Sequence, residues 1–490
     1  MKQLFIATIT LLSFTIQAQD NSLLDRAFWK KNPTIEAVQG EIKKGNNPTE
    51  LNSNAFDPTV LAINEQASND VIKFLLSQKG NDVNKLTHDG RTYIFWAAYR
   101  GNIEIMEYLL KNGAKTNVFD DKGYSALNFA ASSGQANTKV YDLLISQGID
   151  PKKDLDHNGA NALLLVAPHD NDFTLINYFI AKGLKIDSTD KEGNTAFNYA
   201  ARTGNIETLK ALIAKGVGFN DNAIIIASQG GRGTANKLEL YKYFETLKIK
   251  PNAIGKNGEN VLHNLARKEK QSEIINYFFL KGVDPNKADK DGNTPLLNAA
   301  ASSNDIEVIN LFLARAKDID HANNKGVTAL AQALKNNSPE VVRLIIEKGA
   351  SLEVLDSNGD NLTSYLIQSY NPKKESDFEA KIKMLNEKGF NIGTKQKNGN
   401  TIYHLAVAKE DVTLLKILDR FRSDINSRNK EGMTALHKAA LIAKDDTQLK
   451  YLLTIGAQKE VKTDLGETAY DLASENEFLT KNKVAIDFLK

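Results

Sequence analysis

Residues 432–440 read Gly-Met-Thr-Ala-Leu-His-Lys-Ala-Ala, and residues 292–300 read Gly-Asn-Thr-Pro-Leu-Leu-Asn-Ala-Ala. Residues 190–201, Asp-Lys-Glu-Gly-Asn-Thr-Ala-Phe-Asn-Tyr-Ala-Ala, follow the same pattern. The glycine of this pattern recurs mostly every 33 or 34 residues, at positions 90, 123, 159, 193, 258, 292, 326, 359, 399, 432 and 466. A fixed period of this length indicates that one supersecondary unit is repeated and stacked along the chain.

Each repeat carries the signals of two helices. A residue that can cap a helix stands two positions after the glycine, as Thr92, Ser125 or Asn260 does, and alanine recurs seven positions after it. An amphipathic stretch such as residues 103–110 follows and ends near a further glycine, as a left-handed helix terminus requires. Pairs of short helices with a turn between repeats are therefore predicted.

The pattern resembles the ankyrin repeat, whose signature is Gly-x-Thr-Pro-Leu-His-x-Ala-Ala with a 33-residue period. The resemblance covers roughly residues 22–480 and implies an all-α solenoid of stacked antiparallel helix pairs, with β-hairpin or turn fingers between them. Stacking is required because one helix pair cannot bury its own apolar face.

Phasing predicts about twelve repeats with a cap at each end. The expected segments are a secretory signal at 1–18, an N-terminal capping helix pair at 19–56, a first block of repeats at 57–218, an irregular repeat without a finger at 219–257, a second block at 258–465 and a C-terminal capping repeat at 466–490. The loss of the finger near 216–219 and an insertion at 370–376 are the main irregularities.

The N-terminal segment predicts export. Lys2 is followed by an apolar run from Leu4 to Ile16 and by Ala18, which is the layout of a cleavable secretory signal. The run is too short for a transmembrane helix, which takes about 20 apolar residues. We therefore expect an exported chain, periplasmic or secreted, with no membrane insertion after the signal is removed.

Composition excludes several chemistries. The 490 residues include no cysteine, so disulfides, thiolate metal sites and a cysteine nucleophile are excluded. The 62 basic and 60 acidic side chains nearly balance, which disfavours a nucleic-acid partner. No catalytic, cofactor-binding or metal-binding residue is predicted.

Two features imitate chemical sites. Residues 222–234 look like a strand followed by a glycine-rich phosphate loop, but the required glycines are missing, so a helix over 223–227 and an enlarged turn are predicted instead. His263, His404 and His437 occupy the histidine position of the repeat, where hydrogen bonds to a neighbouring turn are expected. His157 and His169 lie near several aspartates, without the spacing of a metal site.

The resemblance places recognition on the finger tips and the exposed starts of the first helices. Carried over by position, this predicts a protein-binding surface formed by His88, Arg91, Tyr99, Arg100, Lys122 and Tyr124. Tyrosine and arginine are favoured in such surfaces because they contribute large contact areas and planar hydrogen bonding.

The predicted function is a non-catalytic exported scaffold or adaptor that binds a protein partner through this surface. A secreted effector or a toxin-neutralising protein fits the same sequence. An enzyme using Arg232 and His263 near the finger-less repeat has the least support, because no catalytic constellation is evident.

Overall fold

A computed structural model describes residues 21–231 and 235–490. The predicted secretory signal at 1–18 and part of the glycine-rich segment, residues 232–234, lie outside the described residues. The chain divides into two compact units, unit 1 up to Asn220 and unit 2 from Asp221 to Lys490. This division comes close to the start of the predicted finger-less repeat, while the other predicted boundaries stay predictions.

Unit 1 is built from short α-helices. They are α1 (Arg26–Trp29), α2 (Ile35–Lys43), α3 (Pro58–Asn64), α4 (Asn69–Leu76), α5 (Tyr93–Arg100), α6 (Ile103–Lys111), α7 (Ala126–Ser132), α8 (Thr138–Ser146), α9 (Ala162–Val166), α10 (Thr174–Ala181), α11 (Ala196–Ala200) and α12 (Ile206–Ala214). Two 3₁₀ helices, Ser22–Leu24 and His88–Gly90, complete it.

Unit 2 continues the same alternation. Its helices are α13 (Asn222–Gln229), α14 (Leu238–Thr246), α15 (Val261–Leu265), α16 (Ser272–Leu280), α17 (Pro295–Ser302), α18 (Ile306–Leu313), α19 (Ala329–Asn336), α20 (Pro339–Glu347), α21 (Leu362–Gln368), α22 (Glu375–Glu387), α23 (Ile402–Val407), α24 (Val412–Asp419), α25 (Ala435–Ile442), α26 (Thr447–Thr454), α27 (Ala469–Glu475) and α28 (Glu477–Lys481). The 3₁₀ helices are Pro372–Lys374 and Asp487–Leu489.

The helices of each unit form the predicted stack of pairs. The first helix of each repeat packs against the first helices of its neighbours, as α5 does between α3 and α7 and α19 does between α17 and α21. The recurring alanines, such as Ala97, Ala130 and Ala333, are fully buried at these contacts, where a small side chain lets two backbones approach. Each leucine or isoleucine buried between pairs contributes about 1.5–3 kcal/mol.

The helix starts confirm most of the predicted caps. Ser125 Oγ accepts the Asn128 N–H at 3.0 Å, and Thr294, Thr328 and Thr434 cap their helices in the same way. Thr92, Thr195 and Thr401 are exceptions. Thr92 Oγ1 is buried without a hydrogen-bond partner, and the other two hydroxyls bond the side chains of Asn198 and His404.

The fingers are turns and not β-hairpins, since no β-strand occurs among residues 21–231 and 235–490. Within each finger a backbone N–H donates to a carbonyl four residues later, as Asp120 N does to Tyr124 O at 2.9 Å. Adjacent fingers are joined through the main chain: Asp121 N donates to Asp89 O at 3.0 Å, and Lys191 N donates to Asn158 O at 2.9 Å. These turns satisfy the backbone polar groups that a strand ladder would otherwise pair.

Second helices are joined across repeats by acid–tyrosine–lysine clasps. In unit 1, Asp142 on α8 accepts hydrogen bonds from Tyr178 Oη at 2.9 Å and from Lys182 Nζ at 2.6 Å. In unit 2, Glu245 on α14 binds Tyr277 and Lys281 in the same way. Tyrosine and lysine four residues apart share one helix face, so both reach the carboxylate of the preceding repeat.

The predicted insertion lengthens one second helix. Helix α22 has thirteen residues, preceded by the 3₁₀ helix Pro372–Lys374. Its Lys381 is buried and donates to Leu334 O at 2.8 Å, near the carboxyl end of α19, where a cation complements the helix dipole. Burial lowers the pKa of Lys381 to about 8. In the described part of the chain, every helix is too short or too polar to cross a bilayer.

Candidate functional site

The fingers of unit 1 expose a row of apolar side chains. Leu86, Phe119 and Leu155 each stand four residues before a finger glycine, and they are 65%, 59% and 45% exposed. The repeat places them at equivalent positions of three successive fingers. Exposed apolar side chains that lie singly are ordinary, but a row of them at one register is typical of a binding surface.

Aromatic rings lie beside one another in the first repeats. The Phe56 ring stacks on His88 with centroids 4.5 Å apart and meets Trp96 at 5.5 Å. Phe129 then contacts Trp96 at 5.6 Å and Tyr99 at 5.7 Å. Trp96 is buried, whereas the other four rings are partly exposed. We call the apolar finger residues and these rings together the finger face.

Arg91 is the predicted site residue whose environment differs most from expectation. It is buried, 5% exposed, and its guanidinium pairs with the buried Asp120 through Nε at 2.9 Å and Nη2 at 2.8 Å. It also lies 4.1 Å from the Phe129 ring centroid. A buried cation needs such a paired carboxylate, so Arg91 joins two repeats and is not an exposed contact residue.

His88 and Lys122 converge with Arg91 on Asp89. Lys122 Nζ lies 3.2 Å from Asp89 Oδ2, Arg91 Nη2 lies 3.2 Å from the same oxygen, and His88 Nε2 lies 3.5 Å from Oδ1. Although burial opposes it, the hydrogen bond from Lys122 and the nearby cations hold the pKa of Asp89 below its usual value. Lys122 remains exposed, and the three predicted residues form one charged cluster around Asp89 that spans two adjacent fingers.

The other three predicted residues lie in two places. Arg100 lies over the Tyr99 ring, 4.9 Å from its centroid, and both residues are partly exposed. Tyr124 is partly buried one finger further along, where burial and the charge of Asp156 raise its pKa. Burial and the neighbouring Asp190 likewise raise the pKa of Tyr199, with a smaller contribution from Asp156.

The prediction did not include Phe56, Trp96 and Phe129, or the apolar finger row. Trp96, Phe129 and Tyr199 all stand six residues after a finger glycine. Comparing residues at one register across repeats would therefore have found the aromatic positions.

The repeat histidines are structural, as predicted. His404 Nδ1 accepts the Thr401 N–H at 3.2 Å, and its Nε2 meets Met433 O of the next finger at 2.9 Å. His263 and His437 make the same two kinds of contact. Burial lowers the pKa of all three, which favours the neutral imidazole.

His157 and His169 contact neighbouring turns. The His157 ring packs against Gly123, leaving no room for a side chain there, and His169 Nε2 lies 3.2 Å from Ser132 O. Within residues 21–231 and 235–490, no group of three or more potential metal ligands occurs.

Comparison with known protein families identifies the same repeats. The family described as "Ankyrin repeats (3 copies)" matches residues 59–154, 262–356 and 403–486, which is more than half of the chain. The chain belongs to the ankyrin-repeat family. The description "Ankyrin repeats (many copies)" also matches residues 164–213.

The curated relatives of this ankyrin-repeat chain match it over only part of its length. Palmitoyltransferase AKR1 of Lachancea kluyveri is 32% identical over 162 residues, which cover 32% of this chain and 21% of that protein. Protein lin-12 of Caenorhabditis elegans is 29% identical over 146 residues, covering 28% and 10%. The matched part of the chain thus spans a small share of the length of these curated relatives.

A solved structure, the ankyrin repeat domain of Bcl-3, matches with 19% identity and a TM-score of 0.35, covering 46% of this chain and all of that one. The family model itself identifies the fold. Ankyrin repeats generally mediate protein–protein interaction.

Proposed function

We propose that this ankyrin-repeat protein is an exported, non-catalytic scaffold that binds a protein partner through the finger face of unit 1. The proposal rests on the exposed row of Leu86, Phe119 and Leu155 and on the partly exposed aromatic rings of the first repeats. Aromatic and apolar anchors of this kind dominate the binding energy of protein interfaces.

The charges around the row support a protein partner over a nucleic acid. Around Asp89, the two carboxylates of Asp89 and Asp120 balance the cations of Arg91 and Lys122. A nucleic-acid surface would present an excess of basic side chains. Mixed charges at the edge of an apolar patch are typical of the polar rim of a protein interface.

The test is capture by cross-linking from the envelope fraction and from the medium. The triple variant Leu86→Ser, Phe119→Ser and Leu155→Ser changes only exposed side chains, so the free energy of unfolding should change little. We expect proteins bound by the wild type to be lost from this variant.

A matched control removes exposed apolar side chains from second helices instead of from the fingers. Ile180→Ser and Leu280→Ser alter residues that are 39% and 87% exposed on α10 and α16. The control should bind like the wild type. Equal capture by the triple variant would refute the finger face as the binding surface.

Export is a separate part of the proposal, supported by the apolar run from Leu4 to Ile16. N-terminal sequencing of the protein from the envelope or medium should give a chain that begins near Gln19. Recovery of the intact chain from the cytosol would contradict export without affecting the finger-face proposal.

A further inference from the structure

The last three fingers carry a basic residue at a position that is uncharged in every earlier finger. Four residues before the finger glycine stand Lys395, Arg428 and Lys462, and all three side chains are exposed. At this position the eight preceding fingers carry Leu86, Phe119, Leu155, Thr189, Ile254, Ala288, Ala322 and Leu355. The finger tips therefore change from uncharged to basic towards the end of unit 2.

The same three fingers have lost an aspartate that earlier fingers use to close the turn. Three residues before the glycine, one carboxylate oxygen accepts two backbone N–H groups, as Asp289 Oδ1 does at 3.0 Å and 2.8 Å. The aspartates in this role are Asp120, Asp156, Asp190, Asp289 and Asp356. Gln396, Asn429 and Thr463 replace them in the last three fingers. Asn429 and Thr463 accept the same two N–H groups without a charge, so the turn is kept and the acid is lost.

Two of these fingers together carry an excess of positive charge. Residues 394–400 and 427–433 contain four basic residues and one acidic residue, Glu431. The two fingers are direct neighbours, because the backbone N–H of Lys430 donates to Asn398 O at 2.9 Å. The four basic residues, all exposed, are Lys395, Lys397, Arg428 and Lys430, and we call them the basic patch.

The lysines of the basic patch are not neutralised by ion pairs. Among the described residues, the ammonium groups of Lys395, Lys397 and Lys430 form no ion pair with a carboxylate. The finger lysine of unit 1 differs, since Lys122 Nζ lies 3.2 Å from Asp89 Oδ2. Three exposed positive charges of the patch are therefore available to a ligand.

The acids near the patch are held elsewhere. Asp464 of the following finger pairs with Arg428, the fourth member of the patch. Asp424 accepts the Ser427 hydroxyl at 2.8 Å and a backbone N–H of its own turn at 3.0 Å. These hydrogen bonds lower the pKa of Asp424, with a smaller contribution from the charge of Lys395. The Asp424 carboxylate is thus fixed in its turn and forms no ion pair with the lysines.

An exposed apolar side chain adjoins the basic patch. Leu465 follows Asp464 directly in the chain and is 86% exposed. Burial of such a side chain against a partner is favourable. Nucleic-acid phosphates are bound instead by cations and hydrogen-bond donors. The leucine therefore favours a protein ligand over a nucleic acid.

We propose that the basic patch and Leu465 bind an acidic segment of a partner protein, one with an apolar side chain among its carboxylates. Complementary charge supports this choice, because opposite charges across an interface guide association and select the partner. The inference goes beyond the proposed function, since it concerns other fingers, in unit 2, and does not require the finger face of unit 1.

The test measures binding of a defined acidic peptide to the full chain. A fluorescein-labelled peptide of repeated Glu-Glu-Leu is titrated with the protein and followed by fluorescence anisotropy. We expect saturable binding that weakens between about 0.05 and 0.5 M salt, because salt screens exposed charges. The triple variant Lys395→Gln, Lys397→Gln and Lys430→Gln should bind about tenfold more weakly, since each exposed ion pair contributes a modest share of the affinity.

A matched control removes the same charge from earlier fingers of unit 2. Lys287→Gln, Lys290→Gln and Lys325→Gln alter three exposed lysines in residues 287–293 and 321–327. This variant should bind the peptide like the wild type. The proposal is overturned if the wild type does not bind the peptide, or if the two triple variants bind it equally well.

Two further probes separate the classes of ligand. A peptide with serine in place of leucine should bind more weakly than the Glu-Glu-Leu peptide, and Leu465→Ser should remove that difference. An oligothymidine with as many phosphates as the peptide has carboxylates should bind more weakly than the peptide. Equal or tighter binding of the oligothymidine would assign the patch to nucleic acid and refute the acidic protein segment. None of these outcomes depends on the finger face, so the two proposals fail separately.

Discussion

Replacing the buried Asp154 by asparagine should stabilise unit 1 at neutral pH. Asp154 is 7% exposed, and its Oδ2 accepts the Ser125 hydroxyl at 2.5 Å. Burial raises its pKa from 3.8 to about 6, although the hydrogen bond from Ser125 opposes the shift. An asparagine side-chain oxygen can accept the same hydrogen bond without carrying a charge.

The sign and size follow from linkage between protonation and folding. Because the folded-state pKa lies above the unfolded value, the folded state binds more protons between pH 3.8 and about 6. The stabilisation associated with this proton is fully present below pH 3.8 and is lost as the pH rises through 6. A shift of two units corresponds to roughly 3 kcal/mol at 1.36 kcal/mol per unit. Asp154→Asn should recover a large part of that at pH 7 and almost none at pH 4.

Tryptophan fluorescence during urea unfolding measures this effect in the relevant unit. The chain has two tryptophans, Trp29 and Trp96, and both are buried in unit 1. With a urea dependence of about 1–3 kcal/mol per molar, the midpoint at pH 7 should rise by about 1 M or more.

The control for this experiment is Asp150→Asn, which changes an exposed aspartate of the same loop. It should leave the midpoint nearly unchanged at both pH values. The reasoning is refuted if Asp154→Asn changes the midpoint by the same amount at pH 4 and pH 7, because the gain would then not come from removing a buried charge.

Three further outcomes are expected. Gly326→Ala should lower the free energy of unfolding of unit 2 by at least about 1 kcal/mol more than Gly349→Ala does, as measured by chemical denaturation. Both glycines have a positive φ, but only at Gly326 would a Cβ lie 2.8 Å from the Asp356 backbone. Tyr178→Phe should lower the free energy of unfolding of unit 1 by about 0.5–1.5 kcal/mol through loss of its bond to Asp142, and Tyr108→Phe, whose hydroxyl bonds no described residue, should not. Burial holds the pKa of His404 below 6.5, so the stability that its neutral ring contributes is present above pH 6.5 and is lost as the pH falls. Hydrogen exchange at the Thr401 amide, corrected for the intrinsic rate, should therefore be faster at about pH 5.5 than at pH 7.5.

The sequence predicted the helix pairs because their signals are local and repeated. A capping residue such as Ser125, a small residue such as Ala130 and a terminal glycine each act within one turn of helix. The repeat histidines were equally predictable, since His437 bonds the cap residue three positions before it. Because the same local signals recur with one period, together they predict the fold, although each is weak alone.

The candidate site was less predictable because its contacts cross repeats. Arg91 was expected to be exposed, yet it is buried against Asp120, which lies 29 residues later in the next finger. Burial of a charge depends on a partner that no local pattern reveals. The recurring finger aspartates could have indicated this partner. An aspartate stands three residues before the glycine in five repeats, so the residues able to donate to it can be compared from repeat to repeat.

The main-chain bonds between neighbouring fingers bear on how such an array can change length. A bond from Asp121 N to Asp89 O requires only peptide groups, so it can form again after whole units are duplicated or deleted. The acid–tyrosine–lysine clasp from Asp142 to Tyr178 and Lys182 is different, because each member must meet its complement in the adjacent unit. Duplicating or deleting a whole repeat should therefore preserve the finger bonds, whereas a clasp forms only where the next second helix carries the complementary tyrosine and lysine.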